Sequence, residues 1–547
     1  MNKFLVNNWI VIAIFILGLS VSWPLFRSGY FSHQDDLQII RLVEMRKCFS
    51  DLQIPCRWVP DMGWGNGFPL FNFYGVSTYY FGAIISYLTG YLIASKILFF
   101  ISLTAGSFGI FLLVKELWGK YAGFVSAVLY MFAPYKALDI YVRGALAEAM
   151  ALTIIPFVLY FALKRNYKLF TIFLFVFLIT HNIMTIVFLP VVMLFIMYLL
   201  FSDKQSLPLR GKFKNLKSFV VSIAIAFGLS AFFILPAFIE KGLVQTESLT
   251  RFELDYRANF VSIKQLFLDR VWGYGTSIPG PEGGMNFSIG WSHWMLAFVA
   301  MISVLFVKNR KTLLLVGGTG LLFLISIIMT HNKSTFVWET FSILTYFQFP
   351  WRFLSLSILT ASILGGFVVS LFKEKMQLYV AIIIVLSTVL LNWSYFKPRE
   401  FYEISENQKI TGEAWDLQRR GAVLDYLPKT ALEPREGAPS EPIITAGSAT
   451  VSGFVNNSNS FRFNIEVEDS AVIHVPVYYF PNWKVKVNGN DHLISFDNYL
   501  GRISIELEEG KYEVLGLFKN TPIRTFANII TIFSLILGIV IWKKHKS

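Results

Sequence analysis

Two adjacent carboxylates, Asp35 and Asp36, follow His33 in the stretch SHQDDLQII. A carboxylate within reach of a hydroxyl can take its proton as the oxygen attacks. Two carboxylates beside an imidazole can instead hold a divalent cation such as Mn²⁺ or Mg²⁺. The same residues fit a helix start, with Ser32 as cap, Asp35 three positions on and acidic charge at the positive end of the dipole. Arg143 and Arg352 each open an apolar run. A guanidinium there either grips phosphate bidentately or snorkels to lipid headgroups. Glu148 lies five residues after Arg143, a spacing that does not share one helix face, so it is expected to meet a neighbouring span. His181 and Asn182 stand together at the edge of another apolar run. Trp351 beside Arg352 is suited to stacking on a sugar face or to an interfacial aromatic belt. Cys48 and Cys56, the only cysteines, form either a short disulfide or two half-buried thiols. No Walker loop, dinucleotide fingerprint or zinc motif occurs, so nucleotide cofactors and structural zinc have no support.

The elements that must position these groups are mostly membrane helices. Apolar residues make up 55% of the chain, and apolar runs long enough to span a bilayer follow one another. The net charge of +13 sits largely in short loops between runs, a positive-inside pattern rather than a nucleic-acid surface. The register predicts a polytopic α-helical membrane protein of about twelve spans with both termini cytoplasmic. Its membrane domain covers residues 1–393 and starts with a retained span at Trp9–Phe26. An external loop at 27–75 and an interfacial helix at 76–91 follow, and the basic run Lys204–Lys217 is placed inside. Residues 394–523 differ in character. Phe461, Phe463, Ile465 and Val467 alternate with polar residues, and Asn488-Gly489 is a hairpin signal. This predicts an external β domain, a β-sandwich, before a final transmembrane helix and basic tail at 524–547.

The run HQDDLQII, the segment Arg57–Pro60 and the tract GNGFPLFNFY at Gly65–Tyr74 together resemble the first external loop of GT-C superfamily membrane glycosyltransferases. More narrowly, they are similar to bacterial 6-pyruvoyl-tetrahydropterin synthase-related membrane proteins, a family name that implies no pterin chemistry. The likeness continues at YVRGALAEA (Tyr141–Ala149), Thr180–Asn182, IGWSHW (Ile289–Trp294), QFPWR (Gln348–Arg352), Asp425–Pro428 and YFPNWKVKVNG (Tyr479–Gly489). The resemblance implies a GT-C-like fold in the plasma membrane. It implies transfer of a sugar from a polyprenyl-phosphate donor to a glycan, lipid or protein acceptor on the outer face. Asp35 matches the family's base or metal contact, with Asp36 beside it, and Arg143 and Arg352 become candidates for the donor phosphate. Two other classes stay open: a transporter or flippase of lipid-linked glycans, and a non-catalytic glycan assembly or binding protein. A transporter would favour ionisable residues at mid-span and matched halves. Here the charges gather at span ends and loops.

Overall fold

The computed structural model describes residues 3–202, 209–278 and 284–544. Among them, seven helices are long and apolar enough to cross a membrane: Tyr91–Trp118, Leu146–Leu163, Asn182–Ser202, Arg310–Thr330, Pro350–Ser370, Glu374–Tyr395 and Pro522–Lys543. An eighth is added if the broken pair Phe213–Leu229 and Ala231–Leu243 forms one span. The chain is therefore a multi-pass helical membrane protein. The count falls short of the expected twelve because several apolar runs fold into shorter helices, among them Tyr167–Leu178 and Trp291–Phe306. At 1.5 Å per residue a 12-residue helix such as Tyr167–Leu178 is about 18 Å long, against about 30 Å of hydrocarbon. Part of the basic run Lys204–Lys217, residues 204–208, lies outside the described residues, as do the last three of the tail.

Contacts divide the chain into two compact units. The first comprises Met1–Asp35, Lys96–Phe227 and Thr250–Glu403. It holds most of the long helices, and the helix Leu354–Ser370 is buried along nearly its whole length. A two-stranded antiparallel ribbon joins β1 (Tyr30–Phe31) to β2 (Phe401–Tyr402), pairing Tyr30 with Tyr402 and Phe31 with Phe401. The ribbon corrects one expectation. Ser32 does not cap a helix: its amide donates to Glu400 O at 3.1 Å, and its hydroxyl accepts from the Glu400 amide at 3.0 Å. Long-range pairing holds this stretch extended, and the helix begins only at Gln38.

The second unit comprises Asp36–Ser95, Gly228–Leu249 and Ile404–Ser547. Its strands are β3 (Ile443–Ala446), β4 (Ala449–Asn456), β5 (Ser460–Val467), β6 (Ala471–Tyr478), β7 (Trp483–Val487), β8 (Asn490–His492), β9 (Arg502–Leu507) and β10 (Gly510–Phe518). They form two antiparallel sheets, ordered β4-β5-β10-β7-β8 and β3-β6-β9. The alternation read from β5 is realised: Phe461, Phe463, Ile465 and Val467 are buried while Arg462, Asn464 and Glu466 are exposed. One apolar cluster takes in these residues, Ile473 and Val475 of β6, and Ile503 and Ile505 of β9.

The opening loop packs into that same cluster through Trp58 and Phe73. Its glycine tract is a docking element. Gly67 has φ +71°, and a Cβ there would lie 2.7 Å from the Trp58 indole nitrogen. Asn66 accepts from Arg502 Nε at 2.8 Å and from the Tyr478 amide at 2.9 Å. Cys48 and Cys56 are joined by a disulfide, with Cα atoms 5.6 Å apart. The stretch 76–91 folds as a separate helix, Ser77–Thr89, ended by Gly90.

Within the helix Gln38–Ser50, Glu44 is fully buried. Burial, and then the charge of Asp61, push its carboxyl well above the ordinary range, while Lys47 pairs with Asp61. A raised folded-state pKa means that Glu44 favours folding below its unfolded value of about 4.5. That contribution is lost as pH climbs through the folded value. Glu44→Gln should therefore be more stable than the parent at pH 8, with the gap closing by pH 4. Thermal unfolding of both proteins across that range is the check; a gap that does not vary with pH would show Glu44 to be ionised in the fold.

Candidate functional site

The first unit concentrates ionisable groups on one short segment, Tyr135–Glu148, between the helices Lys120–Met131 and Leu146–Leu163. Residues Leu138–Arg143 form a single π-helical turn, closed by Gly144 in the left-handed region at φ +68°. Such turns widen the backbone and rotate side chains off the regular 3.6-residue register. Arg143 ends that turn and Glu148 lies in the first turn of the next helix, so the two, five apart, meet across the break at Gly144 and not along one helix face. Arg143 Nη1 donates to Asp139 Oδ1 and, at 3.1 Å, to Glu148 Oε2. Arg352 forms an ion pair with the same Glu148 oxygen at 3.4 Å. The Tyr135 hydroxyl donates to Glu148 Oε1 at 2.5 Å.

Glu148 therefore joins two arginines that lie more than two hundred positions apart in sequence. All members of the network are buried. Arg352 is fixed further by donating from Nη1 to Phe347 O at 2.6 Å and to Gln348 Oε1 at 3.0 Å. Both of these acceptors belong to the short turns that precede the helix Leu354–Ser370. Trp351 lies under Arg143, whose guanidinium carbon is 4.5 Å from the indole centroid, and stacks on Phe349 at 4.7 Å. The Trp351 indole N–H is buried with no acceptor among the described residues. His181 caps the helix that begins at Asn182, accepting from the Met184 amide at 3.3 Å.

The opening residues join this network through the backbone. The Gln34 amide donates to Val142 O at 2.9 Å and the Asp35 amide to Arg143 O at 2.8 Å. Asp35 is thereby held, half-buried, against the chain that carries Arg143. His33 packs its ring among Tyr30, Phe31 and Phe99, at 5.6, 5.0 and 5.8 Å. It also lies against Gly144, where a Cβ would come within 1.9 Å of the imidazole. A side chain at 144 would thus displace His33 as well as strain the turn.

Asp36 belongs to the second unit, where it pairs with Lys409, itself 3% exposed. Gln418 secures that pair by donating to Lys409 O at 2.8 Å and accepting from the Ile40 amide at 3.2 Å. The two carboxylates thus differ: Asp36 has a buried counterion, and Asp35 is tied to the arginine segment. Among the described residues no three His, Cys, Asp or Glu side chains gather, and His33 turns Nδ1 toward Phe31 O at 3.1 Å.

Fold and site together define a multi-pass helical membrane protein with a buried arginine–carboxylate network and a C-terminal β region. No family model matches the chain, so membership of the narrower bacterial family is not shown. The chain is 24% identical over 240 residues to an uncharacterized protein of Lactococcus lactis subsp. cremoris, covering 41% of this chain and 38% of that one. Among solved structures it is similar to the Archaeoglobus fulgidus oligosaccharyltransferase in its apo form, at TM-score 0.46 and 11% identity, over 78% of this chain and 64% of that one. It is also similar to the mycobacterial arabinofuranosyltransferase AftD, at TM-score 0.41 and 13% identity, over 73% and 29%. The chain thus spans less than two thirds of the length of each of these proteins.

Proposed function

We propose that this protein is a GT-C-type membrane glycosyltransferase, moving a sugar from a polyprenyl-phosphate carrier to an acceptor hydroxyl on the outer face of the membrane. The observation that carries the reading is the pair of backbone hydrogen bonds from Gln34 and Asp35 to Val142 and Arg143. They tie the main chain of the residue suited to act as a base to the segment that carries Arg143, although sequence separates the two widely.

In the reaction the acceptor oxygen attacks the anomeric carbon and its proton passes to Asp35. The bond from the anomeric carbon to the phosphate oxygen breaks, and its electron pair leaves on the phosphate. A phosphodiester of charge −1 becomes a phosphomonoester that carries a further negative charge. Arg143 and Arg352 are both held by Glu148, so the two cations are already in place where that charge develops. Arg143 uses only Nη1 on its two carboxylates and leaves other donors for phosphate oxygens. The buried surroundings strengthen each of these contacts relative to water.

The direct test compares lipid-linked and surface glycans, by mass spectrometry, in cells with and without the gene. Loss of one glycosylated species, restored by the parent and not by Asp35→Asn, is the expected result. Identical profiles in all strains would remove the enzymatic reading.

Arg352→Ala should weaken donor use by about 1.5–3 kcal/mol, or roughly 10–100-fold in kcat/KM. Arg352→Lys should recover only part, since an ammonium lacks the planar fork. Steady-state kinetics on the purified variants decide this; full activity in the alanine form would leave Arg352 a structural partner of Glu148.

A further inference from the structure

Lys136 takes no part in the chemistry above, yet it is 1% exposed, one turn before Asp139. Its ammonium donates to Leu103 O at 3.1 Å and lies 4.9 Å from the centroid of the Tyr130 ring. No carboxylate reaches it as an ion pair among the described residues, although Asp139 acts on it electrostatically. Asp139, fully buried, spends Oδ1 on Arg143 and leaves Oδ2 with no hydrogen-bond partner among the described residues. The buried group thus gathers three basic side chains, Lys136, Arg143 and Arg352, and two acidic ones, Asp139 and Glu148. An unbalanced buried charge is costly, and so is an orphan carboxylate oxygen. Both costs fall if an anion enters and Asp139 changes partner.

We propose that Lys136 is a positioning residue that takes over Asp139 when phosphate arrives, releasing Arg143 from that carboxylate onto the phosphate oxygens. The exchange keeps every charge paired: Lys136 with Asp139, Arg352 with Glu148, and Arg143 with the ligand. Lys136 itself never touches the phosphate. Its effect is to let Arg143 follow the charge that grows on the departing group. The inference rests on the glycosyltransferase reading of the same site.

The test measures binding of geranylgeranyl phosphate to the full-length protein in nanodiscs, with geranylgeraniol as the neutral control. The parent should bind the phosphate well above the alcohol. Lys136→Met should lower phosphate affinity about tenfold, with no change for the alcohol. Lys136→Met/Asp139→Asn should regain most of that loss, because Arg143 is then no longer held by a carboxylate. A merely structural lysine would give no such rescue. Lys136→Met binding like the parent, or a double variant no better than the single one, overturns the partner exchange. If Lys136→Met does not fold, Asp139→Asn alone decides: tighter phosphate binding is expected, and unchanged or weaker binding overturns the proposal. A parent that does not distinguish phosphate from alcohol sinks the donor reading as well.

Discussion

Asp35→Asn should lower turnover by about 10²–10⁴-fold, the range that a positioned general base contributes. The amide is nearly isosteric, and the contact tying this residue to the arginine segment is made by its backbone amide, which the substitution keeps. Expression and thermal stability should therefore stay close to the parent's while transfer is lost. Asp36→Asn separates the two carboxylates. It removes a counterion of Lys409, a side chain 3% exposed, and so weakens the pairing of a buried ammonium. Its expected signature is a lower melting temperature with turnover per folded molecule preserved. If the losses are exchanged, the base is Asp36. Should both variants transfer at the parent's rate, the acidic loop is scaffold and the catalytic reading fails.

How far these roles were legible differs with the kind of interaction. Period-two alternation in Phe461–Val467 predicted a strand correctly because one of its faces is buried against a local sheet. The long apolar runs predicted membrane helices on the same principle, although run length overstated how many are long enough to cross. The cap assigned to Ser32 failed because pairing with Glu400, far along the chain, overrode a local preference. The tract GNGFPLFNFY carries part of the family resemblance, but its composition did not reveal that Gly67 and Asn66 dock it onto the strands. Arg143 and Arg352 were identified because a cation at the start of an apolar run stands out. Asp139, Tyr135 and Lys136 were missed, although a signal existed: YKALDIYVRGALAE crowds four charged groups between two apolar stretches. What periodicity could not supply was the break at Gly144 and Ala145, where the π turn ends and a new helix starts. Regular helical spacing therefore kept Arg143 and Glu148 apart on paper.

That pairing leads to the largest expected change in stability. Glu148→Gln should lower the unfolding free energy by about 3–5 kcal/mol, the cost of breaking a buried ion pair by removing one partner. The carboxylate accepts from Arg143 at 3.1 Å, lies 3.4 Å from Arg352 and accepts from Tyr135 at 2.5 Å. An amide of the same shape keeps an acceptor for Tyr135 but supplies no charge, so both guanidiniums lose a counterion in a buried setting. Asp139 can still serve Arg143. Among the described residues Arg352 keeps the neutral acceptors Phe347 O and Gln348 Oε1. The uncompensated charge should therefore reside mainly on Arg352, and Glu148→Gln/Arg352→Met should be more stable than Glu148→Gln alone. Melting curves of the purified single and double variants in one detergent give the coupling between the two sites. Simple additivity would mean that Glu148 does not neutralise Arg352 in the folded protein, and would remove the preorganised cation pair on which the donor site depends.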